Sequence, residues 1–433
     1  MNKISRKLIK PNTPTPQTLK NYKISFLDGF QLPKNICVFL FYESKPEDSG
    51  QLEESLARIL VDFYPLAGRF IKNDSLVDCS DQGAELVEAE APGDVELIDL
   101  VTKIDIDRLN DLLPEQHFRF DEAPYNPLLS IQITRFSCGG AAVAISVSHR
   151  VFDASSLETF VAAWSTAANP DDGTAGRIIP RPSFHLPSLL PSKSREELAA
   201  DLGGPRAPRT GPPGPDQKFV LKRLLFSNEA LTGLKSRVTG KPVSGVRVVC
   251  AVIARALIRV DRAVHGGGRG SVVFQAVNMR ERTIPPQSRD ACGNFVIPTI
   301  TRRIEGDDVG LVELVRLLGD SVRDAIAAHV EILSPDRDGR GIITNTVKNL
   351  IKHGYRAETN LIIVSDLTRF RFDEADFGWG KPVWSGIGPQ QPLGNIVKLM
   401  RNKEGDGIEA IVMLKENEMC CFVQDEEIKI FMS

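Results

Sequence analysis

The chain has 433 residues, 42% of them hydrophobic, with 53 Lys and Arg against 56 Asp and Glu and a formal net charge of −3. That length buries sizeable cores and suggests two or three domains. The near-neutral balance excludes a global positive field for nucleic acid or an anionic membrane, and leaves room only for a local basic patch facing an anionic small molecule.

The segment Met1 to Pro11 carries basic residues but no apolar stretch, so no secretory signal is expected. No run of 18 apolar residues occurs, so no membrane span is expected. Seven cysteines are dispersed along the chain, none in Cys-x-x-Cys. They fit reduced thiols in a cytoplasmic protein and predict no metal site.

Leu52, Leu56, Ile59, Leu60 and Phe63 have helical spacing, and Tyr64-Pro65-Leu66-Ala67-Gly68-Arg69 stops that helix. Leu129, Ile131 and Ile133 alternate with Ser130, Gln132 and Thr134, which predicts a strand with one buried face. Cys138-Gly139-Gly140 supplies a turn, and Ala141–Val147 reads as a buried strand, so the two form a hairpin. Ser148-His149 follows at once. The next helix opens on Ser155-x-x-Glu158, which has capping-box form. Leu157, Phe160, Val161 and Trp164 give it one apolar face.

Between residues 187 and 217 the glycine- and proline-rich runs Gly203-Gly204-Pro205 and Thr210-Gly211-Pro212-Pro213-Gly214-Pro215 predict a linker. The expected division is a first domain over 1–187, a linker over 188–217 and a second domain over 218–433. In that second half, 246–258 reads as a helix with Val246, Val249, Cys250, Ile253 and Leu257 inward. Residues 271–277 read as a buried strand ending at Asn278-Met279-Arg280, and about 310–333 as a long helix. Strands at 395–400 and 408–414 flank the turn signal Gly405-Asp406-Gly407. No internal repeat occurs, and the interleaved helices, strands and hairpins predict an α/β fold.

Two His-x-x-x-Asp matches occur, His149/Asp153 and His117/Asp121, where roughly 0.3 are expected by chance. Context separates them. His149 leaves a buried strand and precedes a helix, a place where a reactive group is both held and exposed. His117 follows Leu112-Leu113-Pro114-Glu115-Gln116 and reads as a surface loop residue. An imidazole with pKa near ~6.5 suits a general base that takes a proton from an attacking hydroxyl or amine. Asp153 stands close to the next helix's N-terminus and reads as a cap or the partner of a cation rather than a catalytic dyad. Farther on comes Asp376-Phe377-Gly378-Trp379-Gly380, followed by Lys381-Pro382, a string that turns up by accident in such a chain once in ~10⁴ trials. Two glycines around a tryptophan predict a tight turn pinned by a large side chain.

His149-Arg150-Val151-Phe152-Asp153 and Asp376-Phe377-Gly378-Trp379-Gly380, in this order, resemble the plant BAHD acyltransferases. So do Tyr64-Pro65-Leu66-Ala67-Gly68-Arg69, Gln275-Ala276-Val277-Asn278-Met279-Arg280, Pro285-Pro286 and Gly293-Asn294. The start, Pro14 to Ser25, looks like the alkaloid acetyltransferase branch that includes vinorine synthase. The resemblance implies two similar mixed-sheet α/β domains of chloramphenicol acetyltransferase-like topology with a channel between them. It implies transfer of an acyl group, acetyl by branch, from acyl-CoA to a hydroxyl or amine of a specialised metabolite such as an alkaloid. His149 would be the base, within a ternary complex and with no acyl-enzyme. Asp153 would pair with Arg280, while Asp376, Gly378, Trp379 and Gly380 would support the site structurally. Ser244 and Asn294 would contact coenzyme A. The expected protein is a cytoplasmic monomer with acyl-CoA and a small-molecule acceptor as substrates. No permanently bound cofactor, nucleic acid, membrane or metal is expected.

Three departures stand out. Ala154 replaces the family's usual Gly, and Leu367 stands where relatives commonly carry Trp. Ala291-Cys292-Gly293-Asn294 lacks the aromatic pattern of the malonyl-transferring branch. Among other classes, a hydrolase would need a Gly-x-Ser-x-Gly elbow beside His265-Gly266-Gly267-Gly268, and none occurs. A nucleotide-binding protein would need a glycine-rich phosphate loop, and Gly240-Lys241 runs into Pro242 instead. A noncatalytic relative that binds a metabolite or partner is the remaining alternative.

Overall fold

The computed structural model describes residues 1–44, 49–72, 74–114, 125–169, 178–203, 218–238, 242–306, 309–356, 358–388 and 395–432. His117 and Asp121 lie outside these residues, as does most of the glycine- and proline-rich run after Gly203. Two compact units account for the chain. One is Met1–Pro205 with Gln287–Phe295 and Phe370–Gln390, and the other is Arg206–Pro286 with Val296–Arg369 and Gln391–Ser433. Each is therefore discontinuous, which differs from the single break expected at 188–217. Two short excursions of the second half pack with the first unit.

The first unit holds a six-stranded sheet in the order Asn2–Ile9, Ala84–Glu90, Leu129–Arg135, Ala141–Ser148, Asn35–Tyr42 and Trp384–Ile387. Only Ala84–Glu90 and Leu129–Arg135 run parallel to each other. The central strands Asn35–Tyr42 and Ala141–Ser148 are buried almost throughout, as their unbroken apolar runs require. The hairpin read from the sequence is present, with Leu129 opposite Val147. Its first strand differs from expectation, because Ser130, Gln132 and Thr134 are buried along with the apolar residues. Alternation here does not mark a wet face. Gln132 Nε2 donates to the Asp111 carbonyl and to Thr134 Oγ1, both at 3.1 Å, while its Oε1 is buried without a partner.

The helices Ser49–Ile59 and Ala154–Ala168 pack on one another. Trp164 Nε1 donates to Ser55 Oγ at 3.2 Å across that contact. The residues after the first helix, Tyr64–Ala67, form a 3-10 turn, with Leu60, Phe63 and Leu66 buried. The capping box expected at Ser155 and Glu158 does not form. Asp153 is the N-cap instead, and Glu158 accepts from the Arg371 backbone N–H at 2.9 Å. A true capping box occurs where the sequence predicted only linker. Ser194 and Glu197 cap the helix Arg195–Asp201.

The second unit has its own six-stranded sheet, in the order Val296–Ile300, Gly270–Asn278, Thr359–Asp366, Asn395–Arg401, Ile408–Lys415 and Phe219–Phe226. Its two central pairings are parallel. The helix Gly245–His265 runs well past the expected 258, and Leu311–His329 matches the expected long helix. Val248, Val249, Ile253 and Leu257 lie in the core of this unit. The hairpin around Gly405 forms with that glycine at φ +77°. The α/β class and the two mixed sheets thus agree with expectation.

Candidate active site

His149 leaves the end of the strand Ala141–Ser148. Its backbone N–H donates to the Lys34 carbonyl at 2.8 Å, extending the ladder one step beyond the Asn35–Ser148 pair. The chain then turns sharply, with Val151 and Phe152 N–H groups returning to the Ser148 carbonyl at 3.2 Å. Burial of Val151 and Phe152 pins the turn. Asp153 ends it as the helix cap. Its Oδ1 accepts from the Ser156 N–H and hydroxyl, both at 2.9 Å, and its Oδ2 accepts from the Phe295 N–H at 3.1 Å. The carboxylate therefore orders two backbone segments, which agrees with a structural role.

Residues 293–295 support the loop from beneath. Gly293 N–H donates to Ser156 Oγ at 3.1 Å, and its carbonyl is 3.0 Å from the same hydroxyl. Gly293 sits at φ +125°, and a Cβ there would lie 3.2 Å from Leu186, so a side chain would be strained there. Asn294 is fully buried. Its backbone N–H and Nδ2 donate to Asp28 Oδ1 at 2.7 and 2.8 Å, and Nδ2 also donates to the His149 carbonyl at 2.7 Å. Asp28 is itself buried, and burial pushes its pKa up against the bonds it accepts from Ser25 and Asn294. Asn294, expected at coenzyme A, thus holds the His149 loop through these bonds.

The His149 ring is half-buried, but its Nδ1 is shut off from solvent and has no hydrogen-bond partner. Asn294 Oδ1 is a second buried acceptor with none. The ring pKa is lowered to about 4, first by burial and then by the Lys34 ammonium. Asp153, the ring's own carbonyl and Asn294 pull the other way. Burial also lowers Lys34, to about 8. His149 is consequently a neutral imidazole at physiological pH, the form a general base must have.

The Asp376–Gly380 segment also belongs to the first unit. Asp376 Oδ1 accepts from Gly378 and Gly380 N–H groups at 2.8 and 3.0 Å, closing the turn. Gly378 and Gly380 adopt φ +95° and +84°. Phe377 is buried with its ring 4.7 Å from Trp164, and Trp379 stands edge-on to Tyr42 at 5.4 Å. The tight turn pinned by aromatic rings is as expected. Elsewhere, Ser244 is the exposed cap of the helix Gly245–His265. Arg280 is buried in the second unit, with Nη1 3.2 Å from Asn278 Oδ1. Leu367 is buried there too, its N–H on the Leu399 carbonyl.

Sequence reasoning missed Lys34 and Asp28. The signal for Lys34 was a charge at the start of an otherwise apolar strand. The signal for Asp28 was weaker, a lone carboxylate in Ser25-Phe26-Leu27-Asp28. Among the described residues, no cluster of His, Cys, Asp and Glu could hold a metal, and no helix is long and apolar enough to cross a membrane.

The chain matches the Transferase family over residues 1–429. It is 54% identical to pelargonidin 3-O-(6-caffeoylglucoside) 5-O-(6-O-malonylglucoside) 4'''-malonyltransferase of Salvia splendens, covering 100% of both chains. It is 33% identical to stemmadenine O-acetyltransferase of Catharanthus roseus over 98% of this chain and 96% of that one. The crystal structure of vinorine synthase superposes with a TM-score of 0.81 at 29% identity, covering 100% of this chain and 98% of that one. The chain therefore belongs to the BAHD acyltransferase family and is an acyl-CoA-dependent acyltransferase. The alkaloid acetyltransferase branch is only a distant match, with vinorine synthase of Rauvolfia serpentina at 31% identity over 97% of this chain and 95% of that one.

Proposed function

We propose that this enzyme transfers a malonyl group from malonyl-CoA to a sugar hydroxyl of an acylated anthocyanin, with His149 as general base. The acceptor hydroxyl gives its proton to His149 as its oxygen attacks the thioester carbonyl carbon. The C–S bond breaks, and the protonated ring returns the proton to the departing thiolate of coenzyme A. A tautomer with the proton on the buried Nδ1 leaves the Nε2 lone pair for this work. Transfer is direct, in a ternary complex of a monomeric enzyme, because a thioester is reactive enough to be attacked without an acyl-enzyme.

The observation that carries the donor and acceptor is the 54% identity over the whole chain with the Salvia splendens malonyltransferase. It outweighs the basis for acetyl transfer to an alkaloid, which was the Pro14–Ser25 segment and the missing aromatic pattern at 291–294. The alkaloid-branch relatives stand at 33% and 31%. The test is coenzyme A release from malonyl-CoA and acetyl-CoA, each against a panel of acylated pelargonidin diglucosides and hydroxylated alkaloids. Turnover with malonyl-CoA and a pelargonidin diglucoside is expected. Turnover confined to acetyl-CoA and an alkaloid overturns the reading.

A further inference from the structure

We infer that Lys34 selects the acyl donor, its ammonium serving as the counter-ion for the free carboxylate of a dicarboxylic acyl group held beside His149. This rests on the malonyl reading above and adds the residue that would enforce it.

The geometry comes from the sheet. The strands Asn35–Tyr42 and Ala141–Ser148 pair in antiparallel register, with Asn35 opposite Ser148. One further step places Lys34 opposite His149, and the His149 N–H to Lys34 carbonyl bond of 2.8 Å fixes that step. Directly opposed residues of an antiparallel pair project to the same face, with Cβ atoms about 5 Å apart. Lys34 and the His149 ring therefore share one side of the sheet end. The Lys34 ammonium opposes protonation of the His149 ring, second only to burial.

The substrate's chemistry matches that spacing. The acceptor oxygen must come within about 3 Å of the His149 ring to pass its proton, and it must touch the thioester carbonyl carbon. In a malonyl thioester the free carboxylate is one methylene from that carbon, so it falls within reach of a lysine beside the ring. Acetyl has nothing to offer there. Arg150, the next residue after His149, is turned elsewhere, with its guanidinium 5.9 Å over the Phe70 ring and Nη1 3.3 Å from the Gly29 carbonyl. Lys34 is half-buried and its pKa of about 8 keeps it mainly protonated at neutral pH. A bound carboxylate would also offset the charge that weakens His149 as a base, an effect acetyl could not supply.

The test needs no acceptor. Dissociation constants of malonyl-CoA and acetyl-CoA are measured by calorimetry on the whole wild-type chain and on Lys34→Met and Lys34→Arg. The wild type should bind malonyl-CoA more tightly, and Lys34→Met should lower the malonyl-to-acetyl affinity ratio by roughly 10- to 100-fold, the effect of losing a hydrogen bond between charged groups. Lys34→Arg should keep most of the ratio, which general damage to the fold would not do. If Lys34→Met retains the wild-type ratio, the role of Lys34 is overturned while malonyl transfer stands. If the wild type binds acetyl-CoA as well as or better than malonyl-CoA, the inference falls and the proposed donor falls with it.

Discussion

Two turns in the first unit are built on the same device and do different work. At Asp153 and at Asp376, one carboxylate collects backbone N–H groups and fixes a sharp change of direction. Around Asp376 the result is closed: Phe377 and Trp379 pack against Trp164 and Tyr42. Around Asp153 it is open at one point, because the turn presents the His149 ring with a buried Nδ1 that has no partner. A string of residues that identifies a family is thus not by itself a sign of chemistry. The titratable group left with unmet hydrogen-bonding capacity is the better guide.

That contrast can be broken by substitution. His149→Ala should lower the rate of coenzyme A release by ~10²–10⁴-fold, the usual cost of a positioned general base, with the melting temperature close to wild type. Phe377→Ala should do the reverse. Loss of a fully buried aromatic costs ~3–5 kcal/mol of stability, read in a denaturant titration, while turnover per folded molecule at low temperature stays near wild type. Equal losses of activity in both variants would erase the distinction between the turns. Asp153→Ala falls between them. It removes a helix cap, at ~0.5–2 kcal/mol, and strands the buried Phe295 N–H, at ~1–3 kcal/mol. Stability and activity should fall together, and a variant with unchanged unfolding midpoint would contradict the capping role. Gly293→Ala should have the smallest effect, ~1–3 kcal/mol from the positive φ, with a rise in KM or fall in kcat only as far as the His149 loop shifts.

Much of this was legible in the chain. The hairpin ending at His149 was readable because Ala141–Val147 has no polar residue except Ser146, and that hydroxyl is satisfied by Asn35 Nδ2 at 2.9 Å. The Asp376 turn was readable because its glycines need positive φ. What stayed hidden was long-range. Asn294 reaches the His149 carbonyl across 145 positions of sequence, and Asp28 reaches Asn294 across 266. No local pattern encodes such pairs. The false capping box at Ser155 has a different cause: two candidate caps, Asp153 and Ser155, stand two residues apart, and Asp153 serves because its second oxygen also accepts from Phe295. Leu129–Arg135 misled through its alternation, since buried polar residues look in sequence like exposed ones.

In the proposed reaction His149 acts as an unprotonated imidazole. The sign of its pH dependence follows. A folded-state pKa of about 4, below the ordinary ~6.5, means the unfolded chain takes the proton first. Stability should therefore fall as pH drops from 6.5 toward 4, and rise in the opposite direction. The most direct test is a ring-resonance titration by NMR in histidine-labelled protein, with the His149 signal assigned by its loss in His149→Ala. A midpoint near 4 is expected, and a higher midpoint in Lys34→Met. A His149 midpoint near the ordinary ~6.5, unmoved by Lys34→Met, would contradict it.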